Sequence, residues 1–158
     1  MISVVESFRP SWAHSRDLTR DFIEGVPFDR WDWSPHFRYA PLNKQFRHMI
    51  CVEGVYVDGL VNRVTDFGIK HSHYKGSLDR DSLLNGLSSV DEKLEHALGA
   101  IVEQGDEEYT IEFYGQQTLG SYLNTFLYHE ALHQGQWSFY ASLGNFETPS
   151  SWKLNWGL

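Results

Sequence analysis

A chain of 158 residues, 41% hydrophobic and 15% aromatic, has the apolar material for one folded domain over 1–158 and too much of it for a disordered segment. Its formal net charge of −8, with no Lys/Arg run anywhere, argues against nucleic acid as a partner, since an acidic surface repels phosphate backbones. No apolar stretch reaches the ~18 residues of a membrane span, "MISVVESFRPSW" lacks the basic-then-apolar pattern of a leader, and the lone Cys51 cannot close an internal disulfide. These features give the expectation of a cytoplasmic protein without a membrane partner.

Residues 11–24 place Trp12, Thr19, Phe22 and Ile23 on one helical face, with Ser11 as the expected N-cap and Gly25 and Pro27 as the stop. The aromatic, Pro-containing stretch 27–41 reads as a loop packed onto the core. A second helix is expected from about Leu42 to Arg63, opening beside a proline. The third, within 79–105, carries the stripe Leu83, Leu87, Val90, Leu94, Ala97 and Ile101 and stops at Gly105. "EEYTIEFYGQQ" (107–117) reads as a short extended segment or hairpin, and the last helix runs from about Thr118 to Leu143, stopped by Gly144-Asn145. The tail "FETPSSWKLNWGL" carries two tryptophans and should pack back on the body. Four long helices with one extended crossover predict an all-α four-helix bundle, whose core can hold a ligand between side chains of facing helices.

Within the last helix, "LYHEALHQGQW" (127–137) sets His129 and His133 four residues apart. On a helix these share a face with Cβ atoms about 5–6 Å apart, close enough for two imidazoles to bind one cation. The row Tyr122–Phe126–His129–His133–Trp137–Tyr140 should face the core, where imidazole nitrogens need either hydrogen-bond partners or a metal. His48 is the best third ligand, because its face carries Val52, Val55 and Gly59 and suits a packed interior. His14 lies near a helix start, His36 in a loop and His96 on a polar face, while His71 and His73 read as exposed loop residues. Three imidazoles from two helices leave a coordination position open, as in catalytic sites. Cys51, one turn after His48, is read first as a small buried hydrophobe and second as a fourth, thiolate ligand.

"HEALH" also matches HExxH, in which the glutamate serves as general base on metal-bound water. A metallopeptidase is the weaker alternative, because no histidine follows His133 and little chain remains for a second lobe. Glu130 itself falls about 100° off the ligand face and is read as a solvated carboxylate.

"YHEALHQGQWSFYASLG" (128–144) resembles the C-terminal helix signature of the DinB/YfiT-like superfamily, HxxxH followed by Gly-Gln and a helix-ending Gly. Gly135, Gln136 and Gly144 fit that signature, while Gln134 replaces the usual Arg. "NKQFRHMICVEGVYVDGL" (43–60) is similar to the family's second helix, with His48 at the family's histidine. The resemblance implies a four-helix bundle with a three-histidine centre, here His48, His129 and His133, for a divalent ion such as zinc or nickel. It implies metal-dependent transfer or hydrolysis involving a small-molecule thiol or electrophile, and a homodimer. The alternative is a non-catalytic bundle that binds a metal or ligand.

Overall fold

Ser3, not Ser11, opens the first helix. In the computed structural model, which describes residues 3–105 and 108–157, α1 runs Val4–Gly25 from a reciprocal capping box: the Glu6 N–H donates to Ser3 Oγ, and the Ser3 N–H donates to the Glu6 carboxylate. Packing explains the earlier start. Val5 and Phe8 are buried and continue the stripe of Trp12, Thr19, Phe22 and Ile23 toward the N-terminus. Burying two such side chains is worth about 1.5–3 kcal/mol each, enough to offset the roughly 3 kcal/mol cost of a proline in a helix interior, here Pro10.

The other helices lie where periodicity places them, within about a residue. These are α2 (Leu42–Asn62), α3 (Arg80–Gln104) and α4 (Leu119–Gly144). Asp79 and Thr118 cap α3 and α4 by accepting from the N–H groups of Ser82 and Ser121. α2 and α4 end on Arg63 and Asn145 in the left-handed region, at φ of 59° and 53°. The extended segment is a hairpin of β1 (Thr110–Glu112) and β2 (Gln116–Thr118), turned by Tyr114 and Gly115 at positive φ.

α2 packs on α3 and α1 on α4, while α1 also meets α3 and α2 meets α4, closing a four-helix ring. Phe46 lies against Trp137, His48 near His133 and Tyr56 against Phe126, so α2 and α4 run antiparallel. The tail forms a short α5 (Ser150–Trp156) and only half of it meets the expectation. Trp152 is fully buried, stacked on Phe22 at 4.7 Å with its indole N–H donating to the Leu18 carbonyl, whereas Trp156 stays exposed. Among the described residues no helix is long and apolar enough to cross a membrane.

Candidate metal centre

The row along α4 faces inward as its spacing requires: Tyr122, Phe126, His133, Trp137 and Tyr140 are buried and His129 is nearly so. The Trp137 indole donates to Gln45 Oε1, whose amide donates in turn to the Ala40 carbonyl, and the Tyr140 hydroxyl donates to that same carbonyl, so both are core residues that hold the loop before α2. His129 and His133 turn their Nε2 atoms toward each other at 3.2 Å. Their ring centroids lie 5.6 and 5.2 Å from that of His48, and one ligand nitrogen from each of the three lies within 4.8 Å of the others.

His48 is exposed, contrary to the packed interior expected for it. Its face of α2 is indeed covered at Val52, Val55 and Gly59, where Thr65 and Tyr122 crowd Gly59. That cover ends before His48, which forms the solvent rim of the cluster. None of the other histidines joins it. His14 contacts Asn155, while His36, His71 and His96 are exposed. His73, expected to be an exposed loop residue, is instead half-buried over Gly54, with Nε2 3.5 Å from Asp58. Cys51 is buried beside the Tyr74 backbone, and burial pushes its thiol pKa up, so the small-hydrophobe reading holds and no thiolate joins the cluster.

The donor set fits a cation. Two nitrogens each 2.0–2.1 Å from one tetrahedral ion stand about 3.3–3.4 Å apart, close to the 3.2 Å between the two Nε2 atoms. Protons are disfavoured in the same place. Burial, followed by the neighbouring His129 and His48 rings, lowers His133 to about 3, and burial with His129 and Lys70 also lowers His48.

A sequence model of the DinB superfamily matches residues 11–137. The chain belongs to the DinB superfamily. Comparison with curated proteins returns no match. The matched stretch contains all three histidines together with Arg16 and Glu53, and stops before α5.

Behind the histidines this DinB bundle holds an ionic network that the sequence reading missed. Arg16 is buried and reaches three acids: Glu53 at 2.5 Å, Glu130 at 2.5 Å and the half-exposed Asp91 at 2.9 Å, with its guanidinium over the Trp12 ring. Glu130 is therefore neither solvated nor turned toward the cluster. It is fully buried on the α1 side, where it accepts from Arg16 and the Thr19 hydroxyl, so the HExxH general-base role has no geometric support. Gln134, in place of the usual Arg, donates to the Ser15 carbonyl and Thr19 Oγ1 and ties α4 to α1.

Two fully buried carboxylates share the one Arg16 cation, and their environments separate them. Burial raises Glu130 to about 8, aided by the Glu53 charge and opposed by Arg16. Burial would also raise Glu53, but Arg16 and His129 outweigh it and hold Glu53 below the usual range. Glu53 Oε1 and His129 Nδ1 are both buried without another partner and face each other at 3.7 Å. A carboxylate behind Nδ1 favours the tautomer that presents a bare Nε2 to the cluster, the outer-shell arrangement of metal-binding histidines.

Proposed function

We propose that His48, His129 and His133 hold one divalent ion of the zinc or nickel kind, and that this DinB bundle is a metal-dependent transferase or hydrolase of small molecules. The convergence of two partly buried Nε2 atoms at 3.2 Å, with a third imidazole at the rim, carries the reading. Three nitrogens leave coordination positions free, and the exposure of His48 puts the free side toward solvent. A bound ion there would supply Lewis acidity and lower the pKa of a water or thiol. The chain's own part is to keep His133 neutral by burial, to orient His129 through Glu53 and to leave the His48 side accessible. Imidazole donors accept several first-row metals, so the donor set supports the class of ion rather than one element.

Elemental analysis after dialysis against zinc or nickel tests the centre. The wild-type chain should hold one ion, and His48→Ala and His133→Ala should each lose it. A double variant that still holds a stoichiometric ion would refute the ligand set. Turnover of a low-molecular-weight thiol with a chloro-dinitrobenzene electrophile, with and without the ion, tests the transferase reading separately. Metal-independent turnover, or none with any thiol, counts against it.

A further inference from the structure

The histidine cluster lies beside a cleft that the ligand set does not use. Its volume is about 400 Å³, and its walls are Tyr39 from the 31–41 loop and Phe139, Tyr140 and Leu143 from the last turns of α4. Tyr39, Phe139 and Leu143 are 61%, 70% and 66% exposed, an unusual concentration of large apolar side chains facing water. Two amides, Gln45 and Gln136, also line it, and no residue lining it is charged. Gln45 precedes His48 by three residues on α2, and Gln136 follows His133 by three on α4. In antiparallel helices both offsets point the same way, so the cleft adjoins the histidines at the end toward the start of α2.

The two amides differ in what remains free. Gln45 is spent on the Trp137 indole and the Ala40 carbonyl, which fixes the wall. Gln136 is exposed and stands one turn beyond His133 along α4. The opposite flank of the cluster has the other polarity. Lys70 stands on the 67–72 turn that packs on α2. Phe67 of that turn lies on Tyr56, toward the later half of α2. The approach to the histidines is thus apolar and uncharged on one side and cationic on the other.

We propose that this cleft is the substrate subsite of the histidine centre and takes an uncharged aromatic or branched apolar group, whose reacting end passes Gln136 toward His133. Desolvating an anionic group among Tyr39, Phe139 and Leu143 has no compensating cation, whereas a neutral ring gains apolar contact at every wall. The inference rests on the metal-centre reading and adds the substrate class.

The test uses the full chain with metal removed by chelation and two unreactive probes of one ring size, para-nitrotoluene and para-nitrobenzoate, followed by amide NMR titration. The expected result is that nitrotoluene shifts the side-chain amides of Gln45 and Gln136 and the backbone of 139–143, and binds at least tenfold more tightly than nitrobenzoate. Phe139→Ala and Leu143→Ala should each weaken it about fivefold or more. Leu154→Ala, on an exposed α5 side chain away from the cleft, should leave it unchanged. Metal stoichiometry in the two cleft variants should match wild type, so loss of the subsite and loss of the centre are read independently. Equal binding of both probes, or shifts confined to other helices, would overturn the proposal. So would a wild-type dimer that Phe139→Ala converts to monomer in sedimentation, because a second copy would then occupy the cleft.

Discussion

The two sides of the His129–His133 pair are built on opposite rules. On the α1 side, Arg16, Glu53, Glu130, Thr19 and Gln134 are buried and joined by ion pairs and hydrogen bonds. On the outer side, His48 and Gln136 are exposed, and Phe139 and Leu143 leave most of their apolar surface in water. One helix serves both, because residues on α4 change side with angle: Glu130 and Gln134 point toward α1, His129 and His133 toward His48 of α2, and Tyr128, Leu132 and Phe139 into solvent. The inner side fixes the orientation of the imidazoles, and the outer side leaves room for something to approach them.

The inner side breaks most severely at its single shared cation. Arg16→Met leaves Glu53 and Glu130 buried without their guanidinium, and removing one partner of a buried ion pair costs about 3–5 kcal/mol. Urea denaturation should show that loss. Arg9→Met, which removes the exposed pair with Glu95, should cost no more than about 1 kcal/mol. Equal losses would mean that the buried network contributes nothing special. The next effect is on affinity. Glu53→Gln keeps the shape behind His129 but removes the carboxylate facing Nδ1. Loss of such an outer-shell partner lowers metal affinity about 10–100-fold, which competition with a chromophoric chelator would measure. An unchanged affinity would show that Glu53 serves Arg16 alone.

How much of this was legible in the sequence depended on whether the cause was local. The α3 stripe from Leu83 to Ile101, the α4 row and the His129/His133 pair follow from helical periodicity, and all of them face inward. The place of His48 on α2 pointed toward the pair, and its ring does lie beside them, but its exposure depends on where the cover over α2 ends, which no local pattern records. Glu130 departs from its expected solvation for a related reason. A carboxylate goes inside only when a partner waits there, and its partner Arg16 is 114 residues away. A signal did exist: Trp12, Arg16, Thr19 and Ile23 share one helical face, so the stripe of α1 already placed an arginine among inward residues. The start of α1 was legible too, in the Ser3/Glu6 capping box.

The smallest effect separates the two buried acids by pH. Glu130 titrates near 8 when folded and near 4.5 when unfolded. Between those values the unfolded chain binds fewer protons than the folded one, so this group's contribution to stability is complete below about 4.5 and fades as pH rises toward 8. Glu53, held low in the folded state, has the opposite sign, and its contribution is lost as pH falls below the usual carboxylate range. The two windows scarcely overlap. Glu130→Gln mimics the protonated acid: its carbonyl can accept from Arg16 while its amide faces Thr19. Below pH 4.5, where the wild-type side chain is protonated in both states, it should change stability by less than about 1 kcal/mol, within the range of a single exchanged hydrogen bond. Its effect should appear as a flatter stability profile from pH 5 to 8, with the acid limb below pH 4.5 unchanged, in urea melts of chelator-treated protein. A variant that instead flattens the acid limb would place the shared proton on Glu53 and reverse the assignment of the pair.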